Sequence, residues 1–355
     1  MVQKSPLHDA HMSGGGKVVD FHGWALPVQF SGIIEEHLHT RTHASIFDCS
    51  HMGEFVAKGE AALKHVDALV TSDIFSIKPS RARYGAILNE DGTFLDDIIS
   101  FRMAEDELYI VTNAGPLAEV SPLLTAGDGV EDVSAATAKI DVQGPKARAV
   151  LESVGLTDAL SLKYFQNGHA QWNGVDVIAS RTGYTGELGY ELFMPNELAV
   201  PLWEALLEVD GVRPAGLGAR DTLRTEVGYA LSGQDIGPHC TPLEAGMEGF
   251  VHWDGAFRGK EALQARRAEG TLLRFVGLVT DSRRAPRHDF ELKHNGEAVG
   301  MVTSGTFGPS VNHGVGLGYV KPDFSEEGTQ LTAGLRDLPV TIAAIPFYKD
   351  GTCRA

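Results

Sequence analysis

Hydrophobic residues recur at helical spacing in several segments before residue 272. In residues 61–70, Leu63, Val66, Leu69 and Val70 fall on one face of a helix, which predicts an amphipathic helix there. The same periodicity predicts helices over residues 116–124, 145–154 and 198–209. Residues 31–42 also predict a helix, but a polar one that is rich in Glu and His.

Short apolar runs lie between these predicted helices and have the spacing of strands. They predict strands over residues 53–58, 84–88, 97–101, 108–112, 138–142 and 175–180. Segments 84–88 and 97–101 flank a turn, which predicts an antiparallel pair that segment 108–112 extends. Strands mixed with helices in this way indicate an α+β region.

The pattern changes near residue 272, after which no helical period is convincing. Short strands at turn-rich spacing are predicted over residues 275–280, 290–294, 297–303, 316–320 and 339–345. They indicate a small β-barrel or sandwich. The charged segment 260–269 before it predicts a helix that ends at Gly270. We therefore expect a domain boundary near residue 272, since 355 residues exceed what one core usually organises.

The composition excludes several functional classes. With 30 Lys and Arg against 47 Asp and Glu, the formal charge is −17, so we expect no nucleic-acid partner. The N-terminal residues lack the apolar core of a signal peptide, and no run of ~18 apolar residues occurs. Three scattered cysteines fit a reducing compartment and offer no paired zinc motif. We expect a cytoplasmic protein with no membrane partner.

Asp96 and Asp97 are adjacent carboxylates where a turn containing Gly92 enters a predicted strand. Side chains alternate along a strand, so we expect the two to point to opposite faces, one of them inward. An inward carboxylate beside Phe94 and Ile98 needs a donor to offset its desolvation. It is therefore either a paired structural acid or a functional one.

Two glycine-containing segments are candidates for ligand contact. Residues 181–191 combine three Gly, two Tyr and two Glu, which favours either close backbone approach to a flat ligand or a plain hairpin. Residues 214–224 resemble half of a dinucleotide fingerprint, but Asp221 occupies the third glycine position, so a Rossmann fold is excluded. Arg220, near the start of a helix, suits either a carboxylate ligand or a local Asp or Glu.

Three further sequence features do not indicate a metal site, a phosphate-binding loop or a serine hydrolase. His37, His39 and His43 are close in sequence, but helical spacing separates His37 from His39 by about 200°, so we expect a solvated or interface helix and no metal site. Residues 255–260 lack the spacing of a P-loop, and no GxSxG motif occurs. Nothing in these motifs indicates a hydrolase.

Six short segments carry a family resemblance when they are taken together. They are residues 40–52 (TRTHASIFDCSHM), 94–97 (FLDD), 142–145 (VQGP), 181–186 (RTGYTG), 216–224 (GLGARDTLR) and 303–305 (TSG). In this order they resemble the glycine cleavage T-protein (aminomethyltransferase) family. The likeness extends from residue 6 to residue 347.

The resemblance implies a three-domain cloverleaf with two interleaved α+β folate-binding domains and a C-terminal β-barrel or jelly-roll domain. It implies a folate-binding region at residues 1–271 and a barrel at residues 272–355. Within the first region, subdomain one would comprise about 1–50 and 139–245, and subdomain two about 51–138 and 246–271.

The implied reaction is an aminomethyl transfer in the glycine cleavage system. The one-carbon unit would pass from the aminomethyl-dihydrolipoyl arm of lipoylated H protein to tetrahydrofolate, with release of ammonia. Such chemistry needs the reacting carbon and the folate amine to be held together away from water.

The resemblance also implies roles for individual residues. Asp97 matches the family's essential acid beside the folate nitrogens, where it would also stabilise positive charge that develops during C–S cleavage. Glu191 matches the pterin-recognising carboxylate, and Arg220 would meet the folate tail. The other ligand-lining positions of the family are matched by Tyr84, Asn113, Tyr184 and Tyr229.

One departure from the family concerns the one-carbon donor. The family's usual Leu-Tyr-Gly is Leu231-Ser232-Gly233 here, which is expected to enlarge the donor side. An alternative function is therefore a tetrahydrofolate-dependent demethylase of a small N-, O- or S-methyl compound. A folate-binding regulatory or iron–sulfur assembly protein on this fold would carry Lys-Gly-Cys and Gly-Gln-Glu, whereas residues 230–235 are ALSGQD.

Overall fold

Eight α-helices occur in residues 2–355, the part of the chain that the computed structural model describes. They are α1 (His8–Ser13), α2 (Ile33–Thr42), α3 (Glu60–Leu69), α4 (Leu117–Thr125), α5 (Ala147–Ser153), α6 (Asn196–Leu207), α7 (Leu217–Glu226) and α8 (Lys260–Glu269). All helices predicted above are present within a few residues of their expected bounds, whereas α1 was not predicted. None of the helices in residues 2–355 is long and apolar enough to cross a membrane.

The strands fall into a segment before residue 272 and a segment after it. The first contains β1 (Gln3–Lys4), β2 (Lys17–Phe21), β3 (Trp24–Gln29), β4 (Ala44–Asp48), β5 (Gly53–Lys58), β6 (Arg81–Leu88), β7 (Phe94–Ala104), β8 (Glu107–Thr112), β9 (Val130–Asp132), β10 (Thr137–Gln143), β11 (Asn167–Trp172), β12 (Val175–Ser180), β13 (Gly189–Pro195) and β14 (Val212–Pro214). The second contains β15 (Arg274–Val279), β16 (Glu291–His294), β17 (Glu297–Gly308), β18 (His313–Val320), β19 (Gln330–Ala333) and β20 (Leu338–Ala343).

Two sheets are built from interleaved parts of the first segment. The six-stranded sheet has the order β11-β12-β13-β10-β4-β14, and the five-stranded sheet has the order β6-β7-β8-β5-β9. The predicted antiparallel pair of β6 and β7 is confirmed, and β8 extends it. Strand β4 thus precedes the whole five-stranded sheet in sequence, and β10 follows it. A short sheet, β1-β3-β2, lies at the N-terminus.

Helices α5 and α6 cover one face of the six-stranded sheet, and α3 and α4 cover one face of the five-stranded sheet. Alternate residues of β10 and β13, such as Val142 and Leu192, form a core with Leu202 of α6. Likewise Ile110 of β8 packs with Val66 of α3. The period of two along each strand then directs the intervening residues to the opposite face.

The opposite faces of the two sheets meet, and α7 packs beside this contact, on Phe47 of β4. Phe101 of β7 and Tyr109 of β8 pack against Phe193 of β13, with ring centroids 5.8 Å and 5.2 Å apart. Burial of such side chains contributes roughly 1.5–3 kcal/mol each. Because Lys139, Asp141 and Glu191 alternate with core residues, they lie on this shared face.

The C-terminal strands close into a barrel with the order β15-β18-β17-β16-β19-β20. The predicted barrel is therefore confirmed, although β19 was not predicted and β17 continues to Gly308 instead of ending at residue 303. The chain is thus an α+β cloverleaf of three parts. The residue limits of the domains given above remain a prediction.

Candidate active site

Tyr84, Asp97 and Asn113 come together at one end of the five-stranded sheet. The Tyr84 hydroxyl donates to Asp97 Oδ2 at 3.0 Å, and Asn113 Nδ2 donates to Asp97 Oδ1 at 2.9 Å. The three residues lie on β6, on β7 and just after β8, at positions directed towards the other sheet. Three of the residues predicted for the site are therefore joined by direct hydrogen bonds.

Asp96 belongs to the same cluster. It is completely buried, and Asn113 donates to it from the backbone N–H at 2.9 Å and from Nδ2 at 2.8 Å. The two carboxylates were expected to diverge to opposite faces of the strand. They converge instead on a single asparagine, because Asn113 stands across the strand end from both.

The environment of these carboxyl groups disfavours two negative charges. Burial raises the pKa of Asp96 well above its usual range, and the adjacent Asp97 raises it further. Burial also raises the pKa of Asp97, although the Tyr84 hydroxyl opposes the rise. The carboxyl groups of Asp96 and Asp97 therefore titrate as a coupled pair.

A loop between α7 and α8 closes over this pair. Ser232 is half-buried there, and its Oγ lies 3.0 Å from Asp96 Oδ1. Asp235 fixes the loop, because its carboxylate accepts from the backbone N–H of Leu231 at 2.9 Å and from Ser304 Oγ of the barrel at 2.9 Å. The guanidinium of Arg224 on α7 donates to the same Asp235 carboxylate.

Glu191 lies on the facing sheet in a chain of buried charges. Lys139 Nζ is 2.7 Å from Glu191 Oε2 and 3.3 Å from Asp141 Oδ1. Burial opposes the charged amine, but Asp141 and Glu191 outweigh it and raise the pKa of Lys139. Asp141 and Glu191 are directly opposite one another in the ladder of β10 and β13.

Arg220 on α7 continues this chain. Its Nη1 donates to Asp141 Oδ2 at 2.8 Å, so the alternative of a local acidic partner is the one observed. The contact with a folate tail stays a prediction. The guanidinium also lies 5.0 Å from the ring centroid of Tyr184, which places its cationic plane against an aromatic face.

Aromatic rings line the region between the two groups of charges. Tyr184 and Tyr229 stack with centroids 5.9 Å apart, and Tyr184 donates to the carbonyl oxygen of Ala230 at 2.6 Å. Tyr84 meets Phe250 edge-on at 4.8 Å. Burial raises the pKa of Tyr184, and its surroundings include Asp97 and Arg220. The predicted residues therefore line one region between the sheets.

Two of the glycines in residues 181–191 pack closely against the side chain of Gln143. A Cβ at Gly183 or Gly189 would lie 2.1–2.2 Å from the Gln143 amide, so a larger residue at either position would displace that side chain. Thr185 Oγ1 donates to Gln143 Oε1 at 2.9 Å, which holds the connection between β12 and β13 against β10. This segment is a hairpin connection that carries Tyr184, and its approach to a flat ligand stays a prediction.

Several residues of the site were not identified from sequence. Lys139 and Asp141 are buried on β10, and their alternation with Ala138, Ile140 and Val142 was the available signal. Polar residues at every second place of an otherwise apolar strand indicate a functional or inter-sheet face. The bond between Asp96 and Ser232 had no such signal, because it joins residues 136 positions apart.

The polar helix α2 has one exposed face and one buried face, which packs against α7. His37 is fully buried, with Nε2 3.0 Å from Glu226 Oε2 and Nδ1 2.8 Å from Thr222 Oγ1. Arg41 donates to Glu187 and to Glu226 at 2.9 Å and 3.0 Å. The charged residues of this face pair with residues of α7 and with Glu187. Within residues 2–355 no group of three or more His, Cys, Asp or Glu side chains could hold a metal ion.

Comparison with known proteins gives consistent matches over nearly the whole chain. Residues 7–255 match the family model described as "GCVT N-terminal domain", and residues 274–349 match the "Glycine cleavage T-protein C-terminal barrel domain". An aminomethyltransferase of a Thermoanaerobacter species is 38% identical over 98% of each chain. That of Halothermothrix orenii is 38% identical over 98% of this chain and all of its own.

A solved structure agrees with these sequence matches. The glycine cleavage system aminomethyltransferase T from Bartonella henselae is 34% identical, and 99% of each chain is covered at a TM-score of 0.93. Both the α+β region and the barrel are therefore shared with that protein.

Proposed function

Because the chain belongs to the glycine cleavage T-protein (aminomethyltransferase) family, we propose that it uses the site between its two sheets to transfer a one-carbon unit to tetrahydrofolate. The observation that carries this proposal is the Tyr84–Asp97–Asn113 cluster facing the Lys139–Glu191 pair. The transferred unit is the aminomethyl carbon of a dihydrolipoyl arm, and ammonia is released.

The residues of the site suit a folate. A pterin presents parallel N–H donors, which one carboxylate can accept. Glu191 is oriented for this by Lys139, which engages Oε2 and leaves Oε1 without a hydrogen-bond partner among residues 2–355. Tyr184, Tyr229 and Tyr84 provide flat apolar faces for the ring systems.

Tetrahydrofolate supplies the two nitrogen atoms that receive the carbon. Asp97 is the residue placed to act on them, because its half-buried carboxylate is fixed at both oxygens by Tyr84 and Asn113. Such a preorganised anion stabilises positive charge on the reacting carbon without reorganisation. The same carboxylate is also placed to take a proton from a nitrogen that has formed its new bond.

Lys139 and Arg220 set the charge on the folate-binding face. The pair of cations neutralises Asp141 and Glu191, so the four groups form a nearly neutral buried network. Arg220 retains further N–H donors, which suit a carboxylate on the folate tail. The role of Arg220 is then to bridge the buried network and the tail.

The proposed donor is lipoylated H protein, and a basic surface on the barrel supports its docking. Arg284, Arg287 and Arg336 line a surface cavity of about 390 Å³ together with the almost fully exposed Leu335. No salt bridge to these arginines occurs within residues 2–355, so their charge is available to an acidic partner.

This basic surface is close to the site loop. His288 Nδ1 lies 2.7 Å from the carbonyl oxygen of Thr303, and Thr303 Oγ1 donates to Asp235. Because Asp235 fixes the loop that carries Ser232, an H protein bound to the barrel would stand beside the donor side of the site. The overall charge of −17 is thus compatible with an acidic partner at this surface.

The alternative of a demethylase rested on the serine at position 232. The serine hydroxyl is engaged by Asp96, so this residue joins the acidic cluster and does more than enlarge the donor side. We therefore retain the aminomethyl donor. A cytoplasmic location is also proposed, which the three free cysteines in residues 2–355 support.

The function is tested with purified protein, tetrahydrofolate and H protein that carries an aminomethylated lipoyl group. We expect methylene-tetrahydrofolate and ammonia in equal amounts. Formation of methyl-tetrahydrofolate from an N-methylated small molecule, with no product from H protein, would contradict the proposal.

A further inference from the structure

Residues 346–355 follow the last strand of the barrel and contain no helix or strand, and we call them the C-terminal strap. The backbone N–H groups of Phe347 and Tyr348 donate to the carbonyl oxygen of Glu226, the last residue of α7, at 2.9 Å and 3.0 Å. The Tyr348 ring centroid lies 4.1 Å from the guanidinium carbon of Arg41, which also donates to the Glu226 carboxylate. The strap therefore packs on the buried charges that join α2 to α7.

Thr352 of the strap bonds to two residues of the connection between β12 and β13. Its Oγ1 donates to Glu187 Oε2 at 2.6 Å and accepts from the backbone N–H of Leu188 at 2.9 Å. Its backbone N–H donates to the same Glu187 oxygen at 3.1 Å. The Glu187 side chain is fully buried, and Arg41 donates to its other oxygen at 2.9 Å. The strap therefore fixes one oxygen of this carboxylate while α2 fixes the other.

Further bonds tie the end of the strap to the same connection. The backbone N–H of Cys353 donates to the carbonyl oxygen of Gly186 at 3.1 Å, and Arg181 donates to the carbonyl oxygen of Ala355. A Cβ at Gly351 would lie 2.5 Å from the Gly186 carbonyl oxygen, so a side chain there would push the two backbones apart. The strap therefore contacts both ends of the connection between β12 and β13.

That connection depends on contacts with other segments for its shape. It contains three glycines, of which Gly186 has a φ of 80°, and glycine loses more conformational freedom on ordering than any other residue. Tyr184 lies within it and is held through its own hydroxyl by one hydrogen bond, to the Ala230 carbonyl oxygen at 2.6 Å. The bond from Thr185 to Gln143 holds the connection against β10. The strap supplies further bonds, so the position of the Tyr184 ring depends on it.

The strap also comes close to Tyr229, the ring that stacks on Tyr184. Burial raises the pKa of Tyr229, and its neighbours Tyr164 and Cys353 raise it further. The guanidinium carbon of Arg354 lies 5.8 Å from the ring centroid of Tyr164. Residues of the strap are therefore near both members of the tyrosine stack, whose centroids are 5.9 Å apart.

We propose that the C-terminal strap positions the stacked rings of Tyr184 and Tyr229 for the flat rings of tetrahydrofolate, and that Thr352 is its main positioning residue. This role rests on the proposed function, to which it adds an element outside the site. Thr352 acts through Glu187 and the connection that carries Tyr184. A preorganised stack leaves less ordering to be done when folate binds, so a loosened strap weakens the affinity for folate. By linkage, bound folate stabilises the contacts of the strap by the same factor.

The first test measures the Kd for tetrahydrofolate by titration calorimetry without H protein. Thr352→Val keeps the shape of the side chain, but Glu187 then loses a donor and the Leu188 N–H loses its acceptor. The Kd should rise about 10-fold, the scale of a lost hydrogen bond, whereas Thr352→Ser should bind within about twofold of wild type. Thr341→Val is the matched control, because Thr341 of β20 is half-buried and forms no side-chain hydrogen bond within residues 2–355.

A second variant disturbs the strap without removing a polar group. Gly351→Ala forces the strap away from the Gly186 carbonyl oxygen, so it should also raise the Kd and the KM for tetrahydrofolate. Gly168→Ala on β11 is its control, because a Cβ there would make an ordinary contact of 3.6 Å with Leu162. In both strap variants the KM for H protein should be unchanged, and kcat at saturating folate should stay within a few-fold of wild type.

The third test follows the strap itself by hydrogen exchange and mass spectrometry. Bound tetrahydrofolate should slow exchange in residues 346–355 of wild type several-fold and leave residues 330–333 of β19 unaffected. Without folate, residues 186–188 should exchange faster in Thr352→Val than in wild type, because the Leu188 N–H has lost its acceptor.

Two results would overturn the role of the strap. One is a Kd for Thr352→Val equal to that of Thr341→Val, even if Thr352→Val unfolds more easily, because the strap would then serve stability alone. The other is exchange in residues 346–355 that is unchanged although tetrahydrofolate binds. Failure of the proposed function gives a different result, because wild type itself would then bind no tetrahydrofolate in the calorimeter.

Discussion

Lys139 Nζ lies 2.7 Å from Glu191 Oε2, and the two side chains are 1% and 7% exposed. A buried charge pair of this kind costs desolvation on both sides, and replacement by apolar residues is often neutral for stability. The Lys139–Glu191 pair serves here to orient the Glu191 carboxylate. Lys139 engages one oxygen of Glu191 and leaves the other without a hydrogen-bond partner among residues 2–355.

The first prediction concerns folate affinity. Glu191→Gln removes the paired acceptor for the pterin, so the Kd for tetrahydrofolate should rise roughly 5- to 150-fold, the scale for unpaired buried donors. Titration calorimetry measures the change. Glu204→Gln, an exposed glutamate of α6, is the control and should bind as wild type does. If Glu191→Gln binds tetrahydrofolate as tightly as wild type does, Glu191 is not part of the folate site.

The second prediction concerns the clamp on the site loop. Asp235→Ala leaves the buried Arg224 with only the half-exposed Asp221 as an acidic partner, so the free energy of unfolding should fall by about 3–5 kcal/mol. Urea denaturation measures this. Asp254→Ala, at an exposed position of the same connection, should change the free energy by less than about 0.5 kcal/mol. Equal stability of the two variants would mean that Asp235 does not clamp the loop.

The third prediction is a dependence of stability on pH. Burial acts to raise the pKa of Glu226, but His37 and Arg41 outweigh it and lower the pKa to about 2, against 4.5 for the free side chain. The stabilisation is complete above pH 4.5 and is lost as the pH falls towards 2. The free energy of unfolding should therefore drop by on the order of 2 kcal/mol from this group by pH 3.

Glu226→Gln isolates that contribution. The variant should be less stable at neutral pH and should lose less stability between pH 5 and pH 3. Burial lowers the pKa of His37, so a separate loss below pH 6.5 remains in both proteins. Glu60→Gln, on the exposed face of α3, should follow the wild-type curve. A Glu226→Gln curve parallel to wild type would contradict the assignment.

The fourth prediction concerns the basic surface of the barrel. Arg287→Glu should raise the KM for H protein at least several-fold and leave the KM for tetrahydrofolate unchanged, because only the protein partner meets this surface. The defect should shrink as salt is added. Arg148→Glu applies the same charge change at an exposed site on α5. If both variants raise the KM equally, the barrel surface is not the docking site.

Much of the fold follows from local pattern. The periodicity of α3, the strands on either side of the Gly92 turn and the change after α8 are consequences of which side chains each element buries. Strand β19 was not predicted, and neither were β4, β11 and β13 of the six-stranded sheet. Helix α2 was located correctly, but the partners of its buried charged residues were not predicted, because those partners are distant in sequence.

The site was predictable to a lesser degree. Asp97, Glu191 and Arg220 were named through the resemblance, and the structure brings them to facing sides of one region. The partnership of Asp141 with Arg220 joins β10 to α7 across 79 positions, and no local pattern encodes such a contact. Ser232 was recognised as a departure from the family, yet its bond to Asp96 depends on how the loop folds against the barrel.

The central claim is that Asp97 performs the chemistry while Glu191 binds the folate. A single-turnover experiment with aminomethylated H protein and tetrahydrofolate tests it in wild type, Asp97→Asn and Glu191→Gln, with folate affinity measured on the same preparations. We expect Asp97→Asn to bind folate within about threefold of wild type and to form no methylene-tetrahydrofolate, whereas Glu191→Gln should react once folate saturates it. An Asp97→Asn protein that turns over normally, or one whose defect disappears at saturating folate, would contradict the account.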